Sequence, residues 1–326
     1  MSNPISDTIV YNATVSNTSN QAKTLSFNDF RKQNLLDHAE HYYVRVFEAK
    51  IPMMSVPFFR MFPEPTSGED KSMKVTIGTS TVSLVPIQLN PINGDVVYIF
   101  YIQQFLDSLN LAFANAHVAS SSPGNPPRMF YDFENEILNL AVDSEYYSFG
   151  VNPVPIFFNT RLMYKFTGFM NEYLGDVNKE YKISYGSYYT NYRDSGLFNI
   201  DYEAIFMPSQ SKFYKDFLEF QSIIVTTRSL KLNEQTIASG DNEIKTLPIL
   251  TEIPITFEDL NSSKYLTFSQ VYPKWTVLNF QGPLKAIDLY AYYVGDDFSI
   301  YDLFILPGQK FNIRLEFIRK ELIKKM

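Results

Sequence analysis

The sequence predicts an all-β fold of antiparallel sandwiches, with a few short helices carried in loops. Three observations predict it. Short segments of alternating apolar and polar residues recur along the chain, above all after residue 215. Turn formers separate them, 18 Pro and 13 Gly among 326 residues. Aromatics reach 16%, with 28 Phe and 23 Tyr against one Trp, a composition suited to pleated, half-buried surfaces and broad contacts. Many short strands joined by tight turns belong to sandwiches and rolled sheets, not to parallel sheets with crossover helices. The length allows one large or two medium domains.

Residues 1–40 are polar, rich in Ser, Asn and Thr, and weakly periodic. They read as an N-terminal arm that orders on assembly. Regular structure starts with "HYYVRVFEAKIP", where Tyr43, Arg45, Phe47 and Ala49 alternate with Val44, Val46 and Glu48 until Pro52. "MKVTIGTSTVSLVPI" reads as a hairpin about Gly78. In the next segment Ile102, Phe105, Leu106, Leu109 and Phe113 fall at helical spacing. "RMFYDFENEILNLAVD" is a hairpin turning at Glu134 and Asn135. "PVPIFFNTRLMYKFTGFMNEYLG" reads as a strand and then a helix, capped by Asn159 or Thr160, with Leu162, Phe166, Phe169 and Tyr173 as its buried stripe and Gly175 as its end.

After residue 215 strand follows strand. In the last, Phe311, Ile313, Leu315 and Phe317 share one face, and Asn312, Arg314 and Glu316 the other. The change of texture divides the chain into an arm (1–40), a first part with loop helices (41–205) and a second, almost purely β part (206–326).

Several chemistries are excluded. There is no Cys, so disulfides, thiolate metal sites and a cysteine nucleophile are out. A net charge of −7 argues against a broad face for nucleic acid. The N-terminal residues lack a basic start followed by an apolar run, so no signal peptide is expected. No Walker loop or dinucleotide glycine fingerprint occurs.

The stretch that most resembles catalytic chemistry is Gly295-Asp296-Asp297. In RNA-copying polymerases such a triplet holds divalent ions for phosphoryl transfer. Here it lies about thirty residues from the end, after strand upon strand, and without a second aspartate motif. It reads as a polar β-turn. Asp296 and Asp297 are weak candidates for a structural calcium ion; no other cofactor is expected, and no catalytic residue. "DHAEH" places His38 and His41 near Asp37 and Glu40, where a metal can be shared, although a polar lead-in to the first strand explains the residues as well. His117 ends the predicted helix, complementing its C-terminus. The acids Glu64, Glu69 and Asp70 read as a solvated loop. In the Tyr-rich run 181–192, Tyr188, Tyr189 and Tyr192 are candidates for a subunit contact. Arg319, Lys320, Lys324 and Lys325 form a basic C-terminal end suited to anionic lipid or genome.

The segment order, carried by "HYYVRVFEAKIPMMSVPFF", "PIFFNTRLMYKFTGFMNEYLG", "FQSIIVTTRSLKLNEQ…LPILTEIPI" and "GPLKAIDLYAYYVGDD…YDLFILPGQKFNIRLEFIRK", resembles the double jelly-roll major capsid proteins of tailless phages, virophages and Polinton-like viruses. The resemblance covers the chain from about residue 41. It implies two jelly rolls side by side and a homotrimer of pseudo-hexameric outline. Such trimers tile an icosahedral shell, beside neighbouring capsomers and penton or minor capsid proteins and often over an internal lipid membrane. It implies a virion protein assembled in the host cytoplasm, not an enzyme, with no specific nucleic acid partner. A single-jelly-roll penton or minor capsid protein is the nearest alternative; a glycan-binding β-sandwich, such as a receptor-binding spike, is another.

Overall fold

The computed structural model describes the chain except for residues 1–7, 63–69, 87–95, 148–152, 185–190, 193–199, 201, 212–218, 239–243, 256–263, 270–273, 297–298 and 324–326. The chain divides into two compact units. One joins Met1–Val56 to Glu219–Met326; the other, Pro57–Leu218, is inserted between those halves.

The first unit is built on eight strands: β1 (Thr8–Ser16), β2 (Ser26–Phe30), β3 (Tyr42–Pro52), β4 (Phe220–Thr226), β5 (Ile249–Pro254), β6 (Tyr265–Ser269), β7 (Ala286–Gly295) and β8 (Lys310–Arg319). Their pairing is nested. β1 lies antiparallel to β8, from Thr8↔Ile318 to Ser16↔Lys310. β2 lies against β7, β3 against β6 and β4 against β5. A ribbon paired in this way, first with last and inward, is a long hairpin of hairpins. Rolled up, it brings β8 beside β3 and β7 beside β4. The result is two sheets, β1-β8-β3-β6 and β2-β7-β4-β5. This wiring is that of an eight-stranded jelly roll.

Alternation explains why these segments form strands with one buried face. In β7, Ile287, Leu289, Ala291 and Tyr293 are buried; in β8, Phe311, Ile313, Leu315 and Phe317. Each apolar side chain that leaves water contributes about 1.5–3 kcal/mol. A one-residue slip would turn all four outward at once, so the pattern fixes the register. β3 departs from strict alternation in one place. Its register against β8 shifts between Arg314 and Leu315; Val46 and Ala49 are both buried while Phe47 is exposed. One residue is thus looped out as a bulge.

The inserted unit has its own core. Helix α1 (Ile102–Ser120) buries Phe105, Leu109, Ala112, Phe113 and Ala116 along one stripe. It ends at Ser121, which adopts the left-handed conformation at φ 52°. Around α1 pack Phe59, Phe158 and Phe166, with Phe59 edge-on to Phe105 at 5.0 Å between ring centroids and Phe166 stacked on Phe105 at 5.7 Å. One sheet of this unit runs Asn171–Asp176, Lys179–Ile183, Ile156–Phe158, Lys74–Ile77, Ser80–Ser83; a second runs Asn191–Tyr192, Ala204–Pro208, Ile137–Asp143, Arg128–Asp132; and Phe59–Met61 pairs with Val97–Ile99 in a third. The hairpins expected at Gly78 and at Glu134-Asn135 are present.

The all-β class agrees with the sequence reading. Four details differ. The boundary does not fall at 205/206, because the unit of the first residues closes only with the last. The supposed arm supplies β1 and β2, each zipped to a partner near the other end of the chain. The helix expected from Asn159 to Gly175 is a single turn, Thr160–Met163, capped by the Asn159 side chain accepting from the Leu162 N–H; Tyr173 and Gly175 belong to a strand. Finally, the nested jelly-roll order is found in the first unit, whereas the inserted unit combines hairpins with longer-range pairs such as Phe158↔Val75 and Asn139↔Pro208.

Candidate functional site

The sequence candidates scatter over both units, and two sets of them meet. The link between β2 and β3, residues 31–41, is held against residues 282–285. Leu35 N–H donates to Leu284 O at 2.7 Å and Leu284 N–H to Leu36 O at 2.8 Å. Leu36, a buried side chain, anchors the link. Farther along, Ala39 N–H donates to Gly282 O at 3.0 Å, and a 3₁₀ turn, Ala39–His41, delivers the chain into β3. Gly282 sits at φ +104°, a conformation that favours glycine there. Its N–H donates to Glu40 Oε2 at 3.0 Å.

The turn gathers His38, Glu40 and His41. Glu40 Oε1 lies 3.3 Å from His38 Nδ1 and 3.9 Å from His41 Nε2, and the imidazole centroids are 5.7 Å apart. The Gly282 N–H and Glu40's own backbone N–H hold the Glu40 carboxyl below the usual carboxylate range. Beside this trio is a cavity of about 310 Å³, lined among others by Leu36, His38, His41, Tyr42, Arg319 and Lys320. Thus β8's end brings Arg319 and Lys320 to the turn that precedes β3, because β8 and β3 are neighbours. Arg319 Nε donates to Tyr42 Oη at 3.3 Å, and Lys320 lies over the Tyr43 ring at 5.4 Å. Asp37 and Glu321 line the same cavity, so the basic pair faces acids as well as imidazoles. Lys324 and Lys325 lie outside the described residues.

The other candidates stay apart. Asp296 is exposed in the turn after β7; its N–H donates to Glu219 O at 2.8 Å, and Gly295 N–H closes the turn on Ser299 O at 2.9 Å. These backbone bonds account for the turn. Asp297 lies outside the described residues. Among the described residues the group of three His, Asp or Glu donors close enough to share a cation is His38, Glu40 and His41, and Asp296 belongs to no such group. Tyr188 and Tyr189 also lie outside the described residues, while Tyr192 falls in the short strand paired with Ala204–Pro208. Glu64 and Glu69 lie outside too, and Asp70 is drawn to a pKa of about 2 by Lys74 and by the Ser72 hydroxyl and N–H. His117 differs from the expectation of a charged helix end: burial lowers its pKa, and Nδ1 meets the Tyr146 hydroxyl at 2.5 Å with the rings stacked.

Sequence reasoning missed two things. The meeting of His38 and His41 with Arg319 and Lys320 joins segments about 280 residues apart, and only the β3–β8 pairing reveals it. Exposed apolar side chains also occur outside the Tyr-rich run. Phe30, Val118, Phe133, Tyr173 and Val177 are all well exposed, with Tyr173 on the Asn171–Asp176 strand, whose six residues are exposed throughout.

No family model and no curated protein matches the sequence. Solved structures do match its fold. A chain from the 3.5 Å cryo-EM structure of the Sputnik virophage superposes with a TM-score of 0.74 at 20% identity, covering 98% of this chain and 99% of that one. The mavirus penton protein, known from its crystal structure, gives 0.63 at 14% identity, covering 96% of this chain and all of the penton chain. The protein therefore shares the fold of these virophage proteins.

Proposed function

We propose that this chain is a virophage-type capsid protein of the penton kind, a structural subunit of the virion that occupies fivefold vertices and catalyses no reaction. The observation that carries the reading is the nested strand order. It supplies one jelly roll with an insertion after its third strand, whereas a subunit that completes a pseudo-hexamer as a trimer needs two rolls per chain. The likeness to the mavirus penton over 96% of this chain and all of that one supports the same assignment, by analogy of fold. The partners are then further copies of this chain and the capsomers that surround a vertex. The exposed aromatic and aliphatic side chains on β2, α1 and the Asn171–Asp176 strand are the surfaces for those contacts.

Sedimentation analysis and negative-stain imaging of the purified protein test the proposal. Ring-shaped particles of roughly five 37.7 kDa chains are expected. A trimer with a six-sided outline would return the major capsid role. A monomer that persists at micromolar concentration and is retained by a glycan array would favour the receptor-binding sandwich.

A further inference from the structure

We propose that His38, Glu40 and His41 form a site for a divalent transition-metal ion of the zinc class. The donor atoms are His38 Nδ1, a Glu40 carboxylate oxygen and His41 Nε2, all within 4.8 Å of one another. In a tetrahedral zinc site with bonds near 2.1 Å, neighbouring donors stand about 3.4 Å apart. The Glu40–His38 pair already meets that spacing at 3.3 Å, and Glu40–His41 is close at 3.9 Å. Small rotations of the two imidazoles close the remainder, and with side-chain exposures of 68% and 66% nothing packed around them opposes the movement.

The carboxylate is positioned in advance. Glu40 Oε2 is held by the Gly282 N–H, which leaves Oε1 directed at both histidines. A ligand fixed through its outer atom in this way binds its metal more tightly. Two imidazoles and one carboxylate suit zinc and its neighbours, whereas calcium and magnesium take shells of oxygen. A fourth position remains for water. The fold itself does not require the trio, because residues 35–39 are already zipped to 282–284 by backbone bonds. Bound metal would add a clasp between the 3₁₀ turn and, through Glu40, the Gly282 turn.

The test uses tag-free protein, stripped with chelator and titrated with zinc chloride in a calorimeter. Cobalt(II) serves as a second probe, read by its visible absorption. One equivalent of zinc with a micromolar or tighter dissociation constant is expected. The cobalt spectrum should be that of a four-coordinate ion, and the melting temperature should rise by roughly 5 °C at a hundredfold excess over that constant. H38Q/H41Q should abolish binding and keep the metal-free melting temperature; E40Q should weaken binding about tenfold or more. The remaining histidine, His117, is engaged with Tyr146 and serves as the internal control through H117Q, which should leave zinc affinity unchanged. Absence of binding to the wild-type chain, or equal binding by H38Q/H41Q, overturns the proposal.

Discussion

The jelly-roll unit and the inserted unit solve the same problem, burial of sheet faces, with opposite use of the chain. In the roll three of the four nested pairs join the segment before Val56 to the segment after Glu219, and only β4 and β5 pair within one of them. β1 pairs with β8 across some 300 residues, from Thr8↔Ile318 onward. The insert is more local: Lys74–Ile77 folds back on Ser80–Ser83, Arg128–Asp132 on Ile137–Asp143 and Asn171–Asp176 on Lys179–Ile183, and its longer pairings, such as Phe158↔Val75 and Asn139↔Pro208, still span far less of the chain than β1 and β8. Closing long loops costs entropy before any contact repays it, so non-local pairing is the slower kind. The difference teaches that the insert can acquire structure while the roll is still an open ribbon.

The single Trp, Trp275, belongs to the roll unit, and α1 belongs to the insert. Indole emission and helical circular dichroism therefore report the two units separately. The largest effects should come from the cores. Phe317→Ala in β8 should cost about 3–5 kcal/mol and move the emission transition in urea. Phe158→Ala, beside Phe113 and Phe166, should cost a similar amount and move the dichroism transition. If both probes shift together in both variants, the units unfold as one and the contrast drawn above fails.

A smaller effect, about 2 kcal/mol, is expected of Gly124→Ala. Gly124 has φ +68°, and a Cβ there would come within 2.7 Å of the Asp143 carboxyl. That carboxylate accepts from the Asn125 N–H and side-chain amide and from the Glu145 N–H. The dichroism transition alone should move, since all these residues lie in the insert.

Asp288 is the corresponding carboxylate of the roll. Burial raises its pKa, but hydrogen bonds from Ser229, Thr227 and the Arg228 N–H outweigh burial and leave it lowered. A depressed pKa stabilises the fold above the ordinary carboxylate range. That contribution is lost as the pH falls through the folded value, below about pH 4. Asp288→Asn should cost about 1–2 kcal/mol at neutral pH, visible in Trp275 emission. The gap between variant and wild type should narrow in acid, and a gap that stays constant down to pH 2 would refute the assignment.

The smallest effect belongs to the turn that looked most like chemistry. Asp296→Ala should change stability by less than about 0.5 kcal/mol, because backbone groups of Gly295, Asp296, Ser299 and Glu219 hold the turn. A loss of several kcal/mol, reversed by calcium, would instead show an ion there.

How far the sequence could be read follows from the same contrast. The alternation in β7 and β8 is strong, and both strands are found where the pattern puts them. β1 carries a comparable signal, with Tyr11, Ala13 and Val15 buried in turn, but Ser, Thr and Asn between them disguise it as an arm. Its partner is at the far end of the chain, and nothing local reveals a pairing over that distance. Phe166, Phe169 and Tyr173 fall at spacings that a helix shares with a turn followed by a strand; the backbone closes i→i+3 turns from Phe166 N–H to Met163 O and from Phe169 N–H to Phe166 O and then enters the strand Asn171–Asp176. The His38–Glu40–His41 cluster was visible as a spacing, but the Gly282 contact that aims Glu40 was not.

The point of insertion has a consequence for how such proteins diversify. The chain leaves the roll after Val56 and rejoins it at Glu219, between β3 and β4, and every strand pair of the roll is formed without the 162-residue passage from Pro57 to Leu218. The insert therefore behaves as an exchangeable cassette. Deletions, replacements and additions within it should leave the wiring of the roll intact, as long as Val56 and Glu219 stay joined.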